Sequence, residues 1–471
     1  MIGDDVLFLT AAELGPKIRT REISPVELTD SYLARIRKYA PKLNAFETVT
    51  AELAKKQARA AETEIAAGKY RGPLHGIPYG AKDLFDTAGI RTSWGAVPCK
   101  NRVPNSDATV VRRLHDAGAV LLGKLAMVEF AGGLGYRFAD ASASGPGRNP
   151  WDPSRWTGGS SSGTGAAVGG GLVTFGLGTE TWGSILCPSA FCGCTGLRPT
   201  YGRVSRAGAM VCSYTYDKVG PIARSAADLR LILSVIGGAD PDDVSSSKEP
   251  LALDGEKRDP KTVRAAVVTL DWAKHGEPEV KRAFDDALNI LKGLGMRTEI
   301  ATLPDFPSGD VAGAIITAEA LSTFENFFRD GTVKQLKDPY APYQMEIAEP
   351  LTASDLAKAW RMRRVLMDKM ADFYGKFDVI VTPNFMSVAP LVEGDLNDSL
   401  NYPDPVGGIG NTCGLPSIAL PTGVGKGGMP VSFQIMGAPF DEALLLDLGE
   451  AYQSHTENHL RHPSLAETLA G

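Results

Sequence analysis

The segment from residue 157 to 205 constrains this chain more than any other part of it. It contains two glycine-flanked serine clusters, GGSSSG and WGS, separated by small residues that can pack closely against neighbouring backbone. Glycine permits backbone angles that other residues avoid, and it leaves amide N–H groups free to face a negatively charged oxygen. Serine hydroxyls held in such backbone indicate nucleophilic chemistry.

The composition is that of an ordinary soluble protein with a well-buried core. The 471 residues are 43% hydrophobic and 22% charged, and the net charge of −6 gives no reason to expect nucleic-acid or membrane attraction. No apolar run is long enough to span a bilayer, and the N-terminal segment lacks the basic start of a secretory signal. We therefore expect a cytoplasmic protein without nucleic-acid or membrane partners.

Six cysteines in so long a chain do not form a disulfide framework. Cys187, Cys192 and Cys194 cluster, but their spacing lacks the paired C-x2-C or nearby histidine of a zinc site. Small buried thiols in a reducing compartment are the better interpretation, and we expect neither a metal nor a cofactor.

The pattern of apolar residues predicts an α/β fold, because strands and helices alternate after an N-terminal helical region. Residues 9–70 are predicted to be helical, with Ser24 as an N-cap and a second amphipathic helix over 50–67. A helix end, a turn and a strand are predicted over 114–124. Further strands are predicted over 172–177, 265–270, 297–303, 379–382, 418–420 and 431–436. Further helices are predicted over 278–295 and 356–374, and surface loops over 139–155 and 392–405.

A phosphate-binding loop and a histidine-based serine hydrolase both fit the glycine-rich segment poorly. A phosphate-binding loop needs a lysine and Ser/Thr directly after its last glycine, and Thr164-Gly165-Ala166 follows Gly163 instead. No G-x-S-x-G elbow is present, and none of the six histidines stands in an obvious catalytic setting. A lysine can replace histidine as a base where burial lowers its pKa. Lys82, in the apolar and glycine-punctuated HGIPYGAKDLFDTAGI, is the candidate.

Long ordered motifs in this chain resemble the amidase signature family. They are HGIPYGAKDLFDTAG, GGSSSG, GTETWGSILCPSAFCGCTGLRPTYGRVS, KLAMVEFAGG, NTCGLPSIALPTG and GGMPVSFQIMGAPFDE. The resemblance covers most of the chain from about residue 75. It implies a single domain over 1–471, with a mixed, twisted central sheet covered by helices. The N-terminal helices would occupy 1–70, and the signature core would lie at about 75–205.

The same resemblance implies hydrolysis of amide C–N bonds by a Ser-cisSer-Lys triad through a covalent acyl-enzyme. Matched motif by motif, Lys82 is the base, Ser160 is the serine on a cis peptide bond that relays the proton, and Ser184 is the nucleophile. Ser161 is expected to hold the lysine in place. The implied oxyanion hole consists of the backbone N–H groups of Thr181, Trp182, Gly183 and Ser184.

The chain departs from the family's usual GTDTGGSIRxP at three positions. Glu180 replaces an aspartate, Trp182 replaces a glycine inside the oxyanion loop, and Leu186 replaces an arginine. Together these changes make the site more apolar, which favours aryl amides or carbamates (urethanes) as substrates. The plainer alternative for Trp182 is packing in the core.

Two other functions remain open at this point. One is the glutamine-hydrolysing A subunit of a tRNA-dependent amidotransferase, which works with partner subunits; Trp182 and Leu186 count against it because glutamine is small, polar and charged. The other is a binding protein without enzymatic activity, which the intact Lys82, Ser160 and Ser184 argue against. We expect a small-molecule amide or carbamate as the partner, and a monomer or homodimer.

Overall fold

A single mixed β-sheet organises the computed structural model, which describes residues 2–344, 346, 351–400 and 404–469. Within these residues the strands are β1 Phe46–Val49, β2 Pro78–Lys82, β3 Val120–Leu125, β4 Phe175–Glu180, β5 Thr195–Arg198, β6 Lys218–Ala223, β7 Arg264–Val268, β8 Arg297–Ala301, β9 Val379–Pro383, β10 Ser417–Val424 and β11 Pro430–Gly437. Their spatial order is β1-β3-β2-β4-β6-β5-β10-β11-β9-β7-β8. The pairs within β3-β2-β4 and β9-β7-β8 are parallel, and the other pairs are antiparallel.

Helices cover this sheet, which confirms the predicted α/β fold with a mixed central sheet. They are α1 Ala11–Arg19, α2 Pro25–Leu43, α3 Ala51–Ala66, α4 Thr109–Asp116, α5 Ser162–Gly169, α6 Leu186–Cys192, α7 Ala226–Ile236, α8 Trp272–His275, α9 Pro278–Gly293, α10 Ser308–Thr323, α11 Glu325–Arg329, α12 Ala353–Tyr374, α13 Leu396–Ser399, α14 Gly407–Thr412, α15 Glu442–Gln453 and α16 Leu465–Thr468. No helix in the described part of the chain is long and apolar enough to cross a membrane.

The N-terminal region is helical as predicted, except for one strand. The Ser24 side chain accepts hydrogen bonds from Val26 N and Glu27 N and so starts α2 as an N-cap. The prediction of helix throughout 9–70 is wrong at Phe46–Val49, which forms β1 and pairs with β3. Four residues are too few for a reliable periodicity, and here the pairing with a distant strand decides the conformation.

Most predicted strands are found within a few residues of their expected places. The strand expected at 172–177 instead occupies Phe175–Glu180, three residues later. The sequence predicts no strand at β5 or β6, and none at β2, because PYGAK lacks both alternation and an apolar run. Residues 139–155 hold no helix or strand, as expected, whereas 392–405 contain α13; residues 401–403 lie outside the described residues.

Small residues let α5 pack directly on backbone beside the sheet. A Cβ atom at Gly163 would lie 2.4 Å from Ala126 N, and one at Gly165 would lie 2.9 Å from Pro188 Cβ in α6. No side chain fits at such distances, so glycine is required at both positions. This close approach brings the serine cluster before α5 next to the ends of β2 and β4.

Candidate active site

Lys82 ends strand β2, which is paired with β3 on one side and β4 on the other, and its side chain is fully buried. Its Nζ lies 2.8 Å from Ser160 Oγ and 3.0 Å from Thr179 Oγ1. Burial lowers the pKa of Lys82 to about 7, although the negative charge of Asp217 acts in the opposite direction. Near neutral pH a large fraction of Lys82 is therefore an uncharged amine able to accept a proton.

Ser160 lies in the glycine-rich turn before α5, and the Gly159–Ser160 peptide bond is cis, as the family resemblance implied. Two glycines allow this turn. Gly158 has φ of +81°, a left-handed conformation that glycine adopts without strain, and a Cβ at Gly159 would lie 2.9 Å from the Trp156 ring. The turn holds Ser160 Oγ within hydrogen-bonding distance of Lys82.

Ser161 contacts the lysine through an intermediate residue that the sequence did not indicate. Its hydroxyl donates to Thr179 O at 3.3 Å and accepts from Thr179 N at 3.4 Å. Thr179 Oγ1 in turn contacts Lys82 Nζ. Ser161 therefore supports Lys82 by fixing the end of β4, and in the described structure it makes no direct hydrogen bond to Lys82.

Ser184 lies in the loop that connects β4 to α6, and this loop also contains the other residues of the expected oxyanion hole, Thr181, Trp182 and Gly183. Gly183 has φ of +81°, which explains the glycine there. None of the hydrogen bonds among the described residues uses the backbone N–H of Trp182, Gly183 or Ser184, so these groups are available to a substrate oxygen. Ser184 is 6% exposed, and no hydrogen bond joins its Oγ to Ser160 or Lys82 within the described residues.

Glu180 holds this loop in place through the hydrogen bonds of its carboxylate. One carboxylate oxygen accepts from Ile185 N at 2.9 Å and Leu186 N at 3.1 Å, at the start of α6, and the other accepts from Arg198 Nη1 at 2.8 Å. Burial alone would raise the pKa of Glu180, but the positive charges of Arg198 and Lys218 hold it below its usual value. The ionised carboxylate thus ties the oxyanion loop to α6 and to β5.

Two polar residues at the start of β6 also contact the loop, and neither was predicted from the sequence. Thr181 Oγ1 donates to Asp217 Oδ1 at 2.6 Å, and Lys218 Nζ donates to Thr181 O at 3.3 Å. Glu180 lies opposite Lys218 in the β4–β6 ladder. No local pattern in the sequence indicates this pairing, because β5 and β6 were not recognised as strands.

The indole of Trp182 packs against two helices of the C-terminal half, and the residue as a whole is partly exposed. It packs in a cluster with Tyr216 and with residues of α10 such as Val311. At the start of α14, a Cβ on Gly407 would lie 2.5 Å from Trp182 Nε1. Trp182 therefore packs against α10 and α14, as the plainer alternative expected, and its role toward a substrate stays a prediction.

The cysteines are buried free thiols, as the sequence indicated. Burial raises the pKa of each member of the Cys187, Cys192 and Cys194 cluster, which keeps the thiols protonated. They pack around α6 and take no part in the site's hydrogen-bonded centre.

Comparison with known proteins agrees with this fold. Residues 27–446 match the family model described as Amidase. The glutamyl-tRNA(Gln) amidotransferase A subunit of Carboxydothermus hydrogenoformans is 36% identical over an alignment of 488 residues, covering 98% of this chain and all of the relative. The chain belongs to the amidase family, and it is an amidohydrolase of that family.

Solved structures support the same assignment. The peptide amidase from Stenotrophomonas maltophilia superimposes with a TM-score of 0.83 at 28% identity, covering 95% of this chain and 97% of the amidase. A chain from a vestigial protein complex, described as revealing the origins of an s-triazine catabolic enzyme, superimposes with a TM-score of 0.84 at 30% identity, covering 95% of this chain and 98% of its own. These matches are similarities in fold and family.

Proposed function

We propose that this chain hydrolyses aryl amides or aryl carbamates through an acyl-enzyme on Ser184. The observation that carries the proposal is the buried Lys82 amine, 2.8 Å from Ser160 Oγ and close to an oxyanion loop with free N–H groups. A base, a proton relay and hydrogen-bond donors for a developing negative charge are what acyl transfer requires.

In this mechanism Ser184 Oγ attacks the substrate carbonyl carbon, and its proton passes through Ser160 to neutral Lys82. The carbonyl oxygen becomes an oxyanion that accepts from the backbone N–H groups of the expected oxyanion hole, those of Thr181, Trp182, Gly183 and Ser184. When the C–N bond breaks, the proton returns through Ser160 to the leaving nitrogen. Water then attacks the acyl-enzyme by the same proton path and releases the acid and free Ser184.

The preference for aromatic or bulky apolar substrates rests on two residues next to the nucleophile. Trp182 is a partly exposed residue within the loop, and Leu186 at the start of α6 has a buried apolar side chain. An aromatic ring of the substrate that packs on the indole gains both apolar burial and ring–ring contact. A monomer or homodimer stays a prediction.

Glutamine hydrolysis with partner subunits is the second candidate, and one observation favours it. Asp404 is buried beside Gly407 and Trp182, and its Oδ2 has no hydrogen-bond partner among the described residues. A carboxylate oxygen there suits an ammonium group such as that of glutamine, and the amidotransferase relatives make glutamine the obvious test. Leu186 opposes this candidate, because an apolar side chain gives a substrate carboxylate no partner.

The reaction is tested by labelling with a serine-directed acylating probe and by turnover of chromogenic anilides, carbamates, primary amides and glutamine. We expect stoichiometric labelling that Ser184→Ala abolishes, because no other group can form the covalent intermediate. Ser162→Ala is the matched control, since Ser162 belongs to the same serine cluster but its hydroxyl bonds only to Ala126 O among the described residues. Labelling that survives in Ser184→Ala would remove Ser184 from its proposed role.

The substrate class is tested by Trp182→Gly. The N–H donor remains, while a substrate ring loses about 1–3 kcal/mol of apolar contact, so kcat/KM for aryl substrates should fall about ten- to a hundred-fold. Small aliphatic amides should change less or improve. The ratio between the two substrate types is the measurement, because a loosened loop would lower both equally. An unchanged ratio would leave Trp182 with a structural role and the aryl preference without support.

A further inference from the structure

Lys218, the first residue of β6, is a buried lysine that the mechanism above does not use. Its side chain is 2% exposed, yet no acidic side chain lies within salt-bridge distance of its Nζ among the described residues. Instead Nζ donates to two backbone carbonyl oxygens, at Thr181 (3.3 Å) and Tyr216. Burying a lysine costs free energy, so its position against these carbonyls calls for a physical reason.

The carbonyl of Thr181 belongs to the same peptide unit as the N–H of Trp182. This peptide is trans, so its C=O and N–H point in opposite directions. Lys218 lies on the carbonyl side, and the N–H on the other side is free to meet a substrate oxygen. A cation that binds the carbonyl oxygen polarises the peptide and makes its N–H a stronger hydrogen-bond donor. Hydrogen bonds in series strengthen one another in this way inside a protein, where the dielectric constant is low.

Lys218 titrates in an environment of opposing charges. The charged groups that face it from β4, β5, the start of β6 and α12 are Glu180, Arg198, Asp217 and Arg363. Burial and the Arg198 charge lower the pKa of Lys218 to about 7, and Glu180 acts in the opposite direction. The Tyr216 phenol beside it stays neutral, because burial raises its pKa.

We propose that Lys218 is a positioning residue for the oxyanion hole: its ammonium orients and polarises the Thr181–Trp182 peptide so that the Trp182 N–H stabilises the oxyanion. This inference rests on the proposed acyl transfer at Ser184. In this proposal the two buried lysines of the site act in opposite protonation states. Lys82 must be neutral to accept the proton, and Lys218 must be charged to polarise the peptide. Because both lysines have a pKa of about 7, the acylation rate should be highest near pH 7. Below this pH Lys82 is protonated, and above it the rate falls to a lower plateau as Lys218 loses its charge.

The experiment measures the pre-steady-state acylation rate with one chromogenic anilide from pH 5 to 10, in the wild type, Lys218→Gln, Lys218→Met and the exposed control Lys426→Gln. Glutamine keeps an N–H donor for Thr181 O but removes the charge, and methionine removes both. We expect a rate about tenfold lower in Lys218→Gln and lower again in Lys218→Met, because a weakened oxyanion donor costs less than the 10²- to 10³-fold of a deleted one. KM should be unchanged, and both variants should lose the alkaline fall. Lys426→Gln should match the wild type.

A purely structural lysine would not move the pH profile. If Lys218→Gln retains the wild-type rate and the alkaline fall, or if the wild type shows no alkaline fall, the inference is wrong. Should Lys218→Met not fold, as judged by circular dichroism, the result of Lys218→Gln decides. A wild type that is never acylated at Ser184 overturns the proposed function and this inference together. If the wild type is acylated at Ser184 and Lys218→Gln has the same pH profile as the wild type, the inference alone is overturned.

Discussion

Individual side chains of the site owe their chemistry to burial as much as to their identity. A lysine is usually a solvated surface cation, yet Lys82 is buried at the end of an interior strand, with the hydroxyl groups of Ser160 and Thr179 as hydrogen-bond partners. Neutral hydroxyls do not stabilise an ammonium as a carboxylate would, so desolvation dominates and the amine form becomes accessible. The same burial determines the pH below which the activity falls.

At the residue scale we predict that kcat/KM falls about tenfold for each pH unit below pH 7, because protonated Lys82 cannot accept the proton of Ser160. Lys82→Arg should be inactive across the range, since a guanidinium does not lose its proton. The measurement is kcat/KM against pH, with circular dichroism to confirm the fold and Lys426→Arg as the control. Near-neutral activity of Lys82→Arg would contradict the neutral-lysine mechanism.

At the scale of secondary-structure elements, the oxyanion loop is held on both sides by long-range contacts. Glu180 ties the loop to α6 and to Arg198 of β5, while Trp182 is packed between α10 and α14. A buried ion pair of this kind gives weak net stability, but removal of one partner costs about 3–5 kcal/mol because the other is left unpaired. The loop geometry therefore depends on helices that carry no catalytic group.

We predict that Gly407→Ala destabilises the protein by about 1–3 kcal/mol and lowers activity, because its Cβ would lie 2.5 Å from the rigid Trp182 indole. Trp182→Gly should relieve most of this cost. The measurement is a double-mutant cycle of unfolding free energies over Gly407→Ala, Trp182→Gly and the pair. Gly313→Ala, in α10 with open space around its Cβ position, is the matched control. Additive effects in the cycle would show that the two residues do not clash.

At the scale of the whole molecule, the site lies on three neighbouring interior strands of the sheet, which come from different parts of the chain. The order β2-β4-β6 brings Lys82, the oxyanion loop and Lys218 side by side. Placing ionisable groups there has a cost for the folded state, since each buried amine must give up its hydration or its proton. Stability and activity are thus linked through the same lysines.

We predict that the stability difference between the wild type and Lys82→Met depends on pH. Burial lowers the pKa of Lys82 from 10.5 to about 7, so between these values the unfolded chain binds a proton that the folded chain does not. The free energy of unfolding of the wild type, relative to Lys82→Met, should therefore rise with pH above 7 and level off below it. At 1.36 kcal/mol for each pKa unit the change is on the order of a few kcal/mol.

Urea unfolding of both proteins at pH 6, 7, 8 and 9 gives this difference, and an exposed Lys426→Met variant should show no such dependence. At pH 7 the methionine variant should be the more stable of the two, because it removes the cost of burying the amine. A difference that is constant over pH would mean that Lys82 keeps its charge in the folded protein.

The sequence by itself determined what is encoded locally. The N-cap at Ser24, the amphipathic helix α9 and the buried strand β9 follow from periodicity and capping, which depend on residues a few positions apart. The motifs around Lys82 and Ser160 indicated the candidate site in the same way, because each motif is one continuous segment.

Only the tertiary structure decided how these segments meet. Thr179 as the partner of Lys82, the reach of Glu180 to the start of α6 and the place of Lys218 behind Thr181 all follow from strand order and from the β4–β6 pairing. Strand order depends on the packing of the entire chain, and a short strand such as β6 carries little signal of its own. The packing of Trp182 against Gly407 likewise cannot be predicted from the sequence, because residues so far apart in the chain come into contact only when the whole sheet has formed.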